Sequence, residues 1–103
     1  MVLERDENEI YVSAASAWEI ATKFRTGKLP QAAELVADVE AGIADNGFLC
    51  LPVSVRHGQV AGALPDPNKD PFDRMLIAQA MVEDLILLSN ETTFDRYGVK
   101  RLW

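Results

Sequence analysis

The chain has 103 residues, of which 49% are hydrophobic and 25% are charged, a length and composition that suit one globular domain with its own core. Its 16 acidic residues outnumber the 10 basic ones and give a net charge of −6, which argues against strong unaided binding to nucleic acid or to an anionic membrane. The charge still allows a nucleic-acid enzyme whose acidic side chains hold metal ions.

The cysteine content and the first residues indicate the cellular compartment of the protein. Cys50 is the single cysteine and lies in an apolar run, so an internal disulfide is excluded and a reducing compartment is expected. The opening MVLERDENEI is too charged for a signal peptide, and no apolar run is long enough to span a bilayer. We therefore expect a cytoplasmic protein that does not associate with membranes.

Strands and helices alternate along the predicted chain. Residues 1–8 are polar and acidic, which predicts a loose terminus or a turn. The elements that follow are a strand at 9–13, a helix at 14–25, a helix at 31–45, a strand at 48–53, a short helix at 55–63, a helix at 72–82, a strand at 85–88, a helical turn at 92–95 and a strand at 99–103. This order favours a single α/β domain in which helices cover a mostly parallel sheet.

The stretch at 70–94 carries the clearest local signals. Asp70 followed by proline is a helix-start signal, because Asp can accept from the first backbone N–H groups and proline has the φ of the first turn. The helix is apolar nearly all round, which predicts that it is buried, and Asp84 ends it. The apolar run at 85–88 is typical of a strand covered on both faces.

Four acidic residues are predicted to gather at one edge of the sheet. In a parallel α/β sheet, strand ends and the starts of the following helices meet at the same edge. This places Glu19 in the first turn of its helix, Asp73 in the first turn of the buried helix and Glu91 just past the third strand. Asp70 lies at the same edge of the sheet, the rim formed by strand ends and helix starts. Such carboxylates repel one another, and a hard cation such as Mg²⁺ would relieve the repulsion.

Each acid also has an ordinary structural interpretation. Ser16 and Glu19 have the spacing of a capping box, and Asp70 suits a helix cap. Asp73 suits a surface acid that complements the helix dipole, and Glu91 suits a loop. The convergence of these acids on one rim, rather than any single motif, favours a functional site.

Other candidate residues carry weaker signals. Basic side chains near the rim are usually solvated, although several together could contact phosphates. They are Lys23, Arg25, Lys28, Lys69 and Arg74. His57 stands alone, without a serine or cysteine arrangement that would make it a catalytic base. Trp18, Phe24 and Phe72 suit core or interface packing.

The chain contains, in this order, SAASAWEIATKFRTGKL, LPVSVRHGQVAGALP, DPFDRMLIAQAMVEDLILLSNETTFDRYGV and KRLW. These segments closely resemble the PIN-domain ribonucleases of the VapC toxin type. The resemblance implies a three-layer PIN-like fold and a Mg²⁺- or Mn²⁺-dependent endoribonuclease of a type II toxin–antitoxin pair, usually a homodimer inhibited by a small antitoxin. It also implies that Glu19 of WEI and Asp73 of DPFDR bind metal. Glu91 falls where these proteins usually carry an acid, more often Asp.

The chain departs from this family pattern at its start. Such proteins normally begin with a strand reading like LLDTH, which lies in the middle of the sheet and supplies the first metal-binding Asp, and nothing in residues 1–8 resembles it. Asp6 precedes a strand, so we expect it at the opposite edge from Glu19. The position between the strands at Tyr11 and Leu87 is then predicted to be empty. The exposed strand edges would favour oligomerisation or low stability.

Two functional hypotheses follow. The first is a metal-dependent endoribonuclease, weakened by loss of the first Asp in a fragment, a late-start product or a degenerate relative. The second is a catalytically inactive PIN-like module that binds an antitoxin in an apolar groove near Trp18 and Phe24, with a basic side chain of the antitoxin reaching the rim. A phosphoacceptor domain of the response-regulator kind ranks lower, because no predicted strand ends in Asp.

Overall fold

A computed structural model describes residues 2–6, 9–65, 69–89 and 92–102. The elements are, in order, strand β1 (Val2–Asp6), strand β2 (Glu9–Ser13), helix α1 (Ala14–Arg25), a 3₁₀ turn (Pro30–Ala32), helix α2 (Ala33–Ala37), helix α3 (Val39–Asp45), strand β3 (Leu49–Leu51), helix α4 (Val55–Ala63), helix α5 (Pro71–Glu83), strand β4 (Ile86–Leu88), a 3₁₀ turn (Thr92–Tyr97) and strand β5 (Arg101–Leu102). The predicted α/β class is confirmed.

The strands form one sheet in the order β3-β2-β1-β4-β5. Strand β2 is parallel to β3, β4 is parallel to β5, and β1 is antiparallel to both of its neighbours, β2 and β4. Four of the described strands therefore run in one direction around a central strand that runs the other way. The prediction of a mostly parallel sheet is correct, and β3, which stops before Pro52, lies at one edge of the sheet.

Strand β1 corrects the prediction for the first residues. Residues 1–8 were expected to form a loose terminus or a turn and to leave the centre of the sheet empty. Instead, Leu3 pairs with Tyr11 on one side and with Leu87 on the other, and its side chain has no exposed surface. The charged and polar residues that follow Leu3 conceal this role in the sequence. With both strand edges paired, the reason for expecting oligomerisation or low stability is removed.

The antiparallel direction of β1 determines which of its residues lies at the rim and which lies at the far end of the strands. Asp6 pairs with Glu9 at the start of β2. It therefore lies at the opposite end of the strands from Ser13, where β2 ends and α1 begins. The predicted position of Asp6 is correct. At the other end, Val2 pairs with Leu88, the last residue of β4. The described residue of the central strand at the rim is therefore a valine and not an acid.

The predicted helix at 31–45 is broken into two short helices. Asp38 has φ of −157°, which is extended backbone, and its carboxylate accepts from the Ala41 N–H at 3.0 Å to cap α3. An Asp side chain competes in this way with continued helix formation. Within α3, a Cβ on Gly42 would lie 2.8 Å from Leu35 Cδ1, so a larger residue there would require the Leu35 side chain to shift.

The core lies between α5 and the sheet. Helix α5 buries Leu76, Ile77 and Ala80 against Leu3 and Leu87. The prediction of a buried helix is confirmed, whereas the strand is not fully covered on both faces, because Leu87 is buried and Ile86 and Leu88 are only partly buried. Asp84 ends the helix in the left-handed conformation, with φ of 53°, and the next backbone N–H, that of residue 85, donates to the carbonyl of Ala80.

Removal of the Leu3 side chain tests the central position of β1. We expect Leu3→Ala to lower the free energy of unfolding by about 2–5 kcal/mol, because it leaves a cavity in a core that closes around this residue. Urea denaturation followed by circular dichroism measures the change. Val55→Ala, at a side chain that is 90% exposed, is the control and should stay within about 0.5 kcal/mol of the unmodified protein. Equal effects of the two changes would place β1 outside the core.

Candidate active site

Helix α1 begins at the end of β2 and carries Glu19 along the rim. Ser13 is the N-cap, and its hydroxyl accepts from the Ala15 N–H at 3.0 Å. Glu19 therefore lies in the second turn of α1 and not in the first, and the predicted capping box of Ser16 and Glu19 is wrong. The Ser16 hydroxyl is instead buried and makes no hydrogen bond. A role for Glu19 as a helix cap is thus removed.

Helix α5 brings two further acids to the same rim. The Asp70 carboxylate accepts from the backbone N–H groups of Phe72 at 2.8 Å and Asp73 at 3.2 Å, which caps the helix as predicted. Asp73 lies in the first turn of α5. The two helices meet where the Trp18 ring packs edge-on against the Phe72 ring, with 4.7 Å between the ring centroids. This aromatic contact fixes the distance between the two acidic segments.

Lys23 lies among these acids. Its ammonium donates to Glu19 Oε2 at 2.8 Å, one helical turn along α1. Glu19 raises the pKa of Lys23 above its ordinary value, and the negative charges of Asp70 and Asp73 raise this pKa further. Glu19 contacts Lys23 directly, and Asp70 and Asp73 add the attraction of their negative charges.

The described side chains supply only part of a metal centre. Glu91 lies outside the described residues. Within the described ranges, no three His, Cys, Asp or Glu side chains come together closely enough to hold a metal ion. The rim nevertheless suits a cation, because the ammonium of Lys23 already occupies it and carboxylate oxygens are the ligands that Mg²⁺ and Mn²⁺ prefer.

A buried polar network connects this rim to the rest of the fold. The Ser13 hydroxyl donates to Gln79 Oε1 at 2.5 Å, and Gln79 Nε2 donates to the Pro52 carbonyl at 3.3 Å. Ser13 and Gln79 have no exposed surface. Sequence reasoning missed this network, because the apolar residues around Gln79 show only that the helix is buried and not which group its amide contacts.

His57 has a structural role beside this network. Its Nδ1 accepts from the Ser54 N–H at 3.0 Å in a capping box at the start of α4, and its Nε2 lies 2.9 Å from Glu83 Oε2. The prediction that His57 is not a catalytic base agrees with these contacts. The spacing of Ser54 and His57, three residues apart, is the sequence signal that could have identified the capping box.

Arg74 also has a structural role. Its guanidinium donates to the carbonyls of Ala61, Leu64 and Pro65, where α4 ends. The Tyr97 hydroxyl donates to the same Pro65 carbonyl at 3.0 Å. These bonds hold the segment that leads toward Asp70. Arg74 therefore differs from the exposed basic residues that were considered for phosphate contacts, namely Arg25, Lys28 and Lys69.

An apolar groove of about 500 Å³ opens next to the acids. Its lining comes from the start of α1, from α4 and from the start of α5, and includes Ala14, Trp18, Val53, Gly62, Phe72 and Met75. Trp18 is 63% exposed. The groove lies near Trp18, as expected, but Phe24 is not among its lining residues.

A comparison with protein families gives a match to the PIN domain over residues 2–100. The chain belongs to the PIN domain family. No curated protein and no solved structure gives a match. The PIN domain is a nuclease-type fold whose members generally use divalent metal ions and commonly bind RNA. In the described part of this PIN domain, no helix is long and apolar enough to cross a bilayer.

Truncation of Gln79 tests the buried network of the PIN domain. We expect Gln79→Ala to lower the free energy of unfolding by about 1–3 kcal/mol, because the Ser13 hydroxyl and the Pro52 carbonyl lose their buried partner. Gln59→Ala, at an exposed helical position, is the matched control and should have little effect. Chemical denaturation of both variants measures the difference. A Gln79→Ala variant as stable as the control would mean that the network adds nothing to stability.

Proposed function

We propose that this PIN domain is a divalent-metal-dependent endoribonuclease of the VapC toxin type, with weak activity. The observation that carries the proposal is the match to the PIN domain family, together with Glu19 on α1 and Asp73 in the first turn of α5, two helices that meet at the contact of the Trp18 and Phe72 rings. RNA is the proposed substrate.

The proposed metal ligands are Glu19, Asp73 and Glu91, acting directly or through water. Mg²⁺ or Mn²⁺ bound there would activate a water molecule for hydrolysis of a phosphodiester bond. Asp70 fixes the backbone that carries Asp73, since it caps the same helix turn. The weak activity has a structural basis, because the antiparallel β1 brings Val2 and not an acid to this rim. Fewer carboxylates give a weaker hold on the metal.

The apolar groove would bind a partner protein, in addition to the RNA substrate. Its apolar lining and the exposed Trp18 suit the apolar side chains of a small antitoxin, and the acids beside the groove suit a basic side chain of that partner. We propose a cognate antitoxin at this groove, and a homodimer as the assembled form of the toxin.

A second candidate function is a PIN module that binds an antitoxin without cutting RNA. Two observations favour it. Val2 lies where the central strand meets the rim, and the Lys23 ammonium already neutralises Glu19. Both the module and the enzyme would use the groove near Trp18. The presence or absence of metal-dependent cleavage therefore decides between them.

RNA cleavage tests the enzyme. Purified protein incubated with a structured RNA should cut it in the presence of Mg²⁺ or Mn²⁺ and should stop when EDTA is added. Asp73→Asn should lower the rate at least about tenfold, because a group that supports the metal is removed. Asp45→Asn is the charge-matched control, since Asp45 precedes β3 at the opposite edge of the sheet. Cleavage that persists in EDTA or in Asp73→Asn would contradict the enzyme. A folded protein inactive with every metal would favour the binding module.

The affinity for Mg²⁺ tests whether the carboxylates of the rim bind the metal together. We expect Mg²⁺ to bind in the millimolar range, a binding free energy of about −4 kcal/mol. Glu19→Gln should weaken this binding further, because it removes one of few carboxylates. Calorimetry with Mg²⁺, or water-proton relaxation with Mn²⁺, measures the affinity. Micromolar binding that Glu19→Gln leaves unchanged would assign the metal to other residues.

A further inference from the structure

We propose that the crevice between α1, α3 and the sheet is a second binding site, which takes a small neutral molecule with an apolar body and one hydroxyl group. The crevice has a volume of about 230 Å³. Its walls include Val2 and Val12 from the sheet, Ser16 and Ile20 from α1, and Val39 and Ile43 from α3. None of its described lining residues also lines the groove near Trp18, so the inference does not depend on the proposed function.

The crevice lies on the face of the sheet that is turned away from the core. Leu3 belongs to the core beneath α5, and Tyr11 packs against that core. Because side chains alternate along a strand, their chain neighbours Val2 and Val12 lie on the opposite face, where they line the crevice. A ligand in the crevice would therefore leave the packing of α5 against the sheet unchanged.

Ser16 provides the polar group of this site. Its side chain lines the crevice and is 4% exposed, and its Oγ has no hydrogen-bond partner among the described residues. Ser13, at the start of the same helix, differs in this respect, because its hydroxyl bonds both to the Ala15 N–H and to Gln79 Oε1. A buried hydroxyl without a partner is costly, and a ligand that offers one hydrogen bond removes that cost.

The remaining walls favour a neutral and mostly apolar ligand. The described lining residues include no charged side chain, and Asn46 is the one polar residue among them besides Ser16. Asn46 is exposed, and its Nδ2 already donates to the Gly42 carbonyl at 2.8 Å. An ordered water would need roughly two to four polar partners, more than these walls offer near Ser16.

The size of the crevice fits a single aromatic ring. An apolar cavity of about 150 Å³ is enough to bind benzene, so phenol fits the larger volume here. The serine hydroxyl can donate to or accept from the phenol hydroxyl. Entry requires side-chain movement only, since Leu35 at the crevice wall is 40% exposed and such side chains change rotamer rapidly.

The test compares phenol with toluene, which has nearly the same shape but no hydroxyl. Methyl NMR spectra of the whole chain are recorded while each compound is added. Both compounds should shift the signals of Val12, Val39 and Ile43 in the crevice. The signals of Val53 and Met75 report on the groove near Trp18, so they distinguish binding there from binding in the crevice.

Ser16→Ala isolates the contribution of the hydroxyl. The ratio of phenol affinity to toluene affinity should fall about three- to tenfold in this variant, because one hydrogen bond to phenol is lost. The affinity for toluene, which serves as the matched control, should stay within about twofold. Since Ser16 Oγ bonds to no described group, the urea midpoint of unfolding should stay the same or rise with the better helix former.

Three results would overturn the inference. An unchanged affinity ratio in Ser16→Ala would show that the hydroxyl does not contact the ligand. A lower urea midpoint would show that the hydroxyl is already bonded within the protein. Shifts confined to Val53 and Met75, or no shifts at all, would show that the crevice takes no such molecule. None of these results bears on RNA cleavage, so the proposed enzyme would stand or fall separately.

Discussion

The pairing of Leu3 between Tyr11 and Leu87 is the contact on which the rest of the structure depends. It joins the half of the sheet that carries β2 and β3 to the half that carries β4 and β5, and it buries the Leu3 side chain under α5. Without it, two strand edges would expose backbone donors and acceptors, which is costly in a folded domain.

The antiparallel direction of β1 does not weaken the sheet, but it changes which residues of the strand lie at the rim. An antiparallel strand satisfies the backbone groups of its neighbours as well as a parallel one does, so the sheet is complete. It nevertheless reverses which end of the strand reaches the rim. Val2 lies there, and Asp6 lies at the far edge. The architecture is therefore that of a PIN domain, whereas the described carboxylates at its rim come from α1 and the start of α5.

The sequence predicts well those features that depend on local patterns. The apolar surface of α5, the cap at Asp70 and the start of α4 at Ser54 were all predicted close to their observed positions, because a few neighbouring residues decide them. Strand β1 was missed because its one core residue is followed by a run of charged and polar ones. The ion pair of Lys23 was missed because the pattern EIATK is compatible with two solvated side chains.

Local sequence patterns do not predict contacts between residues that are distant along the chain. The hydrogen bond between Ser13 and Gln79, for example, joins two residues whose neighbours along the chain give no sign of each other.

The place of β1 in the sheet also bears on how the protein is made. Strand β2 follows β1 closely, so this pair can form as soon as both strands leave the ribosome, since closing a short loop costs little entropy. The other partner of β1 is β4, which the chain reaches only after α5. One edge of the central strand and the underside of Leu3 therefore stay uncovered until β4 has been synthesised. Closure of the core waits for β4, and until then this strand edge of the growing chain is open to aggregation.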